Sequence, residues 1–227
     1  MTEKASVRVH VMRHGEVHNP ERIVYGRLPH YRLSDKGQAM VRKSAEQFAT
    51  WQKEGAKIVY LVCSPLQRTR ESAAPITELL GLEAHPDERV IEAANHFEGL
   101  HVDVKELATH PRHWKQLTNP LRPSWGEPYQ EQAKRMAQAI REAGQKAYEI
   151  GGPGAEAIVV SHQLPIWMAR RSAEGKFLPH DPRTRQCNLA SITTFSFEDI
   201  YADEVPTVSY CEPAAELYSG VIQLPGT

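Results

Sequence analysis

The chain has 227 residues, of which 41% are hydrophobic and 24% charged, with a formal net charge of -1. That balance excludes a disordered polar chain, and the near-zero charge gives no overall pull toward nucleic acid or an anionic membrane. Cys63, Cys187 and Cys211 are odd in number and form no CxxC pair, which argues against a disulfide framework or a cysteine-rich zinc site.

The segment MTEKASVRVHVM lacks the apolar core of a signal peptide, and no apolar run approaches the roughly 20 residues of a membrane span. The expectation is a cytoplasmic protein. Val7, Val9 and Val11 alternate with Arg8 and His10, a strand that runs into Arg13-His14-Gly15. Residues 16 to 33 carry Asn19-Pro20, Gly26 and Pro29 and read as a loop. Ser34 is the expected N-cap of a helix from Asp35, with Val41, Ala45 and Phe48 on one face and Trp51 beside them. The run KIVYLVC from Lys57 to Cys63 predicts a buried parallel strand. A helix over 66 to 80 follows, which Pro75 should kink or divide and Gly81 should stop.

Residues 95 to 128 show no clean period and hold four histidines, four prolines and two tryptophans. They predict an inserted cap with some helix near Val102 to Leu107. A helix over 129 to 149 follows, with Ala133, Met136, Ala137, Ile140 and Ala147 on one face. Glu156 to Ser161 predicts a buried strand ending at His162. A helix from Leu164 to Glu174 and two strands, 189 to 197 and 205 to 210, complete the reading. Alternating strand and helix predict a single α/β domain over 1–227: a three-layer α/β/α sandwich with a mostly parallel sheet and a cap insertion at about 95–128. Ligands in such sheets sit beyond the carboxyl ends of the strands.

Three strand ends carry the chemistry: Arg13-His14, Ser64 to Arg68, and Ser161-His162. Arginine offers a fixed fork of donors that matches phosphate oxygens. A neutral imidazole can attack phosphorus when its other nitrogen is held in the right tautomer, and nearby arginines disfavour its charging. No lysine-bearing glycine-rich loop is present. Arg70 and the pair Arg170-Arg171 read as solvated helix residues. Trp114 and Trp125 read as packing residues, and His96, His101, His110 and His113 as ordinary cap residues without metal-ligand spacing.

Arg13-His14-Gly15, the run Ser64-Pro65-Leu66-Gln67-Arg68-Thr69-Arg70 and Ser161-His162, in that order, resemble the histidine phosphatase (phosphoglycerate mutase-like) superfamily over nearly the whole chain. The resemblance implies that His14 is phosphorylated by the substrate and that Arg13, Arg68 and His162 bind the phosphoryl oxygens. It implies a proton-donating acid between the second and third motifs: Glu92 is the first choice and Glu98 the runner-up. Gln163 stands where the family often has glycine. Asn19 matches the family's asparagine one residue early. Gln163, Asn19 and Glu98 are thus candidates for substrate binding.

The expected activity is hydrolysis of a small phosphomonoester, with no metal or organic cofactor. Its rivals are mutase-type phosphoryl transfer and a non-catalytic phosphate-binding module. The expected partner is a phosphorylated small molecule, with neither nucleic acid nor membrane. Oligomeric state stays open, a homodimer included.

Overall fold

A computed structural model describes residues 4–101 and 126–219. β1 (Val7–Arg13) is followed by α1 (Asp35–Lys53), β2 (Lys57–Cys63), α2 (Gln67–Leu80) and the short β3 (Ala84–Pro86). Then come α3 (Tyr129–Gly151), β4 (Ala155–Ser161), α4 (Gln163–Ala173), β5 (Ile192–Phe197) and β6 (Thr207–Cys211). The strands form one sheet in the order β3-β2-β4-β1-β5-β6. β3, β2, β4 and β1 run parallel, and β5 and β6 add an antiparallel edge beside β1. The mixed α/β architecture and its mostly parallel sheet agree with the sequence.

Side-chain alternation divides the core into two layers. Val7, Val9 and Val11 of β1 join Met136, Ile140, Ala143 and Ile166 of α3 and α4. Met12, Ile58, Leu61 and Ile158 point the other way, onto Met40, Val41, Phe48 and Ile76 of α1 and α2. All seven residues of β4 are buried, as a strand covered on both faces must be. Ser34 caps α1 by accepting the Gly37 N–H at 2.9 Å.

Several local expectations fail for identifiable reasons. α2 continues undivided across Pro75. Proline removes one internal hydrogen bond, but Ala73 and Ile76 on either side are buried in the core with α1. Ala137 is exposed, and Ala139 takes its place on the buried face of α3. Arg170 is not solvated: it packs over Trp167 and Tyr210 and pairs with Glu174 at 2.9 Å. β3 has three residues, too few for periodicity to reveal. The helix expected near Val102 to Leu107, together with His110, His113, Trp114 and Trp125, lies outside the described residues. Residues 95–101 pack against the loop after β1 through a bridge from Ile23 to His101, and Asn95 bridges to Gly126 ahead of α3.

Candidate active site

The site begins with strand register. Arg13 lies level with Ser161 across β1 and β4, and Cys63 level with Val160 across β2 and β4. The residues that follow, His14, Ser64 and His162, therefore emerge in one row. The His14 N–H donates to the Ser161 carbonyl at 3.1 Å and the Ser64 N–H to the Val160 carbonyl at 3.0 Å, which extends the ladder into the site. Gly15 is glycine for space: a Cβ there would overlap the Gly37 carbonyl of α1. One at Gly37 would overlap the Glu16 carbonyl.

Arg13, His14, Arg68 and His162 are all buried, exposed by 2%, 1%, 1% and 0%. The rings of His14 and His162 meet edge to face, with centroids 5.2 Å apart. His14 Nδ1 lies 2.8 Å from the Gly15 carbonyl oxygen, which can only accept, so Nδ1 carries the proton and Nε2 keeps its lone pair. Burial, then the charges of Arg68 and Arg13, hold His14 well below the usual histidine range. Burial and the same arginines do so for His162, which the neighbouring His14 reinforces. Both rings are therefore neutral near pH 7.

Each arginine is pinned by one hydrogen bond. Arg13 Nη1 donates to the Cys187 carbonyl at 2.9 Å. Arg68 Nη2 donates to the Gly26 carbonyl at 2.6 Å, and its guanidinium lies 4.8 Å from the Tyr25 ring centroid. His162 Nε2 is 2.9 Å from Ser64 Oγ. Arg13 Nε, Arg68 Nε and His162 Nδ1 remain buried with no hydrogen-bond partner among the described residues. Buried donors without partners are costly and uncommon, and here they gather around one histidine. An anion with several acceptor oxygens would give such donors partners.

A cleft of about 160 Å³ adjoins this row, lined by Gly26, Glu92, Glu127, Tyr129, Gln132, Gln163 and Arg185 among others. The Glu92 carboxylate accepts the Ala93 N–H at 2.8 Å and otherwise faces the cleft. Glu98 is used differently. Its Oε1 accepts the N–H groups of Arg27 at 3.0 Å and Asn95 at 3.3 Å. It also presses on Gly26, whose φ of 39° favours glycine. Asn19 is similarly occupied: Nδ2 donates to the Ile23 carbonyl and Oδ1 accepts its N–H, closing the loop after β1. Gln163 opens α4, with Nε2 3.5 Å from the Cys187 carbonyl that also receives Arg13.

Ser64 and Arg185 escaped the reading of individual site residues. Ser64 could have been found, since it directly follows β2. Arg185 follows a 3-10 turn, Pro182–Thr184, where no periodic signal exists. Among the described residues no group of three or more His, Cys, Asp or Glu is placed to hold a metal ion, and no helix is long and apolar enough to cross a membrane.

Residues 9–203 match the model of the histidine phosphatase superfamily (branch 1). The chain belongs to that superfamily. It is 46% identical over 209 residues to the uncharacterized protein Rv0525 of Mycobacterium tuberculosis (strain ATCC 25618 / H37Rv), covering 92% of this chain and 97% of the relative. Its fold is like that of mycobacterial glucosyl-3-phosphoglycerate phosphatase Rv2419c: TM-score 0.68, 21% identity, 90% of this chain and 97% of the other. It is also like phosphoglycerate mutase from Bacillus anthracis str. Sterne: TM-score 0.67, 17% identity, 96% and 98% covered. One fold thus serves both phosphatases and mutases.

Proposed function

We propose that the protein is a phosphatase that hydrolyses a small phosphomonoester through a phosphohistidine on His14. The observation that carries this reading is the set of unpartnered buried donors, Arg13 Nε, Arg68 Nε and His162 Nδ1, around a neutral histidine whose Nε2 lone pair is free.

In the first step Nε2 of His14 attacks phosphorus. The bond from phosphorus to the ester oxygen breaks, and Glu92, as the acid, gives that oxygen a proton. The Gly15 carbonyl shares the charge that the ring acquires, through Nδ1–H. Arg13, Arg68 and His162 hold the three phosphoryl oxygens, where charge gathers during transfer. In the second step a water gives its proton to Glu92 and attacks phosphorus, the P–N bond breaks, and orthophosphate leaves. Glu92 is preferred to Glu98 as the acid because its carboxylate lines the cleft while that of Glu98 is occupied by two backbone N–H groups. The proposed setting is cytoplasmic.

His14→Ala tests the reading. Wild-type protein should release phosphate from p-nitrophenyl phosphate, and the variant should lose at least about 10³-fold. Equal rates in both would leave a phosphate-binding module. Incubation with 3-phosphoglycerate and a bisphosphorylated primer separates the second reading, since interconversion of phosphoglycerates without net phosphate release identifies a mutase.

A further inference from the structure

Among the described residues that line the cleft, Arg185 is the one cation, and the reaction above does not use it. It is half-buried, and both of its hydrogen bonds go to neutral acceptors. Nε donates to His180 Nε2 at 2.8 Å and Nη1 to Gln163 Oε1 at 3.3 Å. Among the described residues it has no ion pair. Burial works against its charge, while Tyr129 and then Glu92 favour it. The other charged groups of the cleft are spoken for. Glu127 is neutralised by Arg27 at 3.0 Å and Arg135 at 2.6 Å, and Glu92 is the proposed acid. A half-buried guanidinium with no ion pair among the described residues is a recognition group lacking its counterpart.

Its support is unusually firm for a loop residue. The His180 ring lies against Tyr129 and Trp167, with centroids 5.7 Å and 6.0 Å away. His180 Nδ1 donates to the Leu178 carbonyl at 2.8 Å, which leaves Nε2 as the acceptor that Arg185 requires. Burial, ahead of the nearby arginines Arg185 and Arg171, pushes His180 down to about 4, so the acceptor persists at neutral pH. Gln163, held at its far end by the Cys187 carbonyl, links Arg185 to the carbonyl that orients Arg13. Gln132 also lines the cleft, and its buried Oε1 has no hydrogen-bond partner among the described residues, an acceptor suited to a substrate hydroxyl.

We propose that Arg185 is the specificity residue of this site and binds a second anionic group, on a hydroxyl-bearing phosphomonoester, while Arg13, Arg68 and His162 bind the phosphoryl group. This rests on the phosphatase reading. A carboxylate or a second phosphate supplies the same chemistry to the guanidinium. Two substrate pairs distinguish them: 3-phosphoglycerate against glycerol 3-phosphate for the carboxylate, and fructose 1,6-bisphosphate against fructose 6-phosphate for the phosphate.

In at least one pair wild-type kcat/KM should favour the more anionic member by about tenfold or more, chiefly through KM. Arg185→Gln should abolish that preference, and Arg185→Lys should restore part of it. His180→Ala should weaken it, because the guanidinium then loses its fixed acceptor. Less than twofold discrimination in both pairs, or a preference that survives Arg185→Gln, overturns the proposal even where p-nitrophenyl phosphate is hydrolysed. If no phosphate is released from any ester, the phosphatase reading fails instead. Calorimetric titration of the same four compounds then decides the role of Arg185: a Kd preference lost in Arg185→Gln supports it, and no discrimination, or no binding, overturns it.

Discussion

Ser64→Ala probes the group that orients His162. Ser64 Oγ accepts the Leu66 N–H at 3.5 Å, so its own proton is free to go to His162 Nε2, 2.9 Å away. Nε2 is then the acceptor, and the ring proton sits on Nδ1, the atom without a partner among the described residues. Alanine would leave a buried imidazole nitrogen unsatisfied, at a cost of about 1–3 kcal/mol. For a chain of this size each kcal/mol lowers Tm by about 2–4 °C.

The effect on rate is separate. Without the hydroxyl the ring proton can move to Nε2, and Nδ1 then turns a lone pair toward the phosphoryl oxygens. Deleting one such donor outright costs about 10²–10³ in kcat. The tautomer here is only partly lost, so a fall of about 10–100-fold in kcat/KM is expected. Initial rates with p-nitrophenyl phosphate and a calorimetric Tm on the same preparation measure both effects. A Ser64→Ala enzyme within twofold of wild type, alongside a His162→Ala enzyme reduced more than 100-fold, would refute the reasoning: His162 would matter without Ser64 setting its tautomer.

Glu92→Gln should lower kcat by about 10²–10⁴ on an alkyl phosphate, whose leaving oxygen needs the proton. The loss on p-nitrophenyl phosphate should be smaller, and equal losses on both would remove Glu92 from the acid's role. Gly37→Ala places a Cβ against the Glu16 carbonyl and forces α1 away from the His14 loop. The cost should be about 1–3 kcal/mol, visible as a lowered Tm, and an unchanged Tm would contradict the close approach. Acid should destabilise the fold through His14 and His162. Their folded pKa values are depressed by burial and by Arg68 and Arg13, whereas in the unfolded chain they take protons below about pH 6.5. The unfolded state then binds more protons. Stability falls with pH below that point by up to about 1.4 kcal/mol per unit for each ring, until the folded rings also charge. Urea unfolding between pH 6.5 and 5 should be steeper in pH for wild type than for His162→Ala, and identical slopes would defeat the assignment.

Much of the site was legible because its central residues stand at or shortly after the ends of strands that sequence can recognise. The valines of β1, KIVYLVC of β2 and EAIVVS of β4 announce buried strands, and Arg13, His14, Arg68 and His162 stand at or just past their ends. Polar side chains used by the backbone were not legible in the same way. Asn19 and Glu98 have the residue types a substrate site needs, but Ile23 in one case and Arg27 and Asn95 in the other take their hydrogen-bonding groups. Pairings distant in sequence were hidden too. His10 looks like the polar side of an alternating strand, yet it is buried against Glu156 at 2.6 Å and Thr194 at 2.8 Å. Arg185 lies in a segment with no period, and the role proposed for it comes from His180 and Gln163 around it.

The electrostatics of the central row join binding to reactivity. Arg13 and Arg68 carry charges in the interior with no ion pair to either among the described residues, while Glu92 and Glu98 act on Arg68 from farther off, an arrangement that works against folding. The same two charges keep His14 from taking a proton, because an imidazolium beside them would add a third positive charge. A carboxylate paired directly with either arginine would relieve the first problem and create a second, since it would cancel the charge that keeps His14 neutral and occupy the donors that a phosphoryl group needs. That no such pair is formed among the described residues serves both roles proposed for the arginines. In the proposed reaction they hold the anion when it arrives, and until then they keep the Nε2 lone pair of His14 available to attack it.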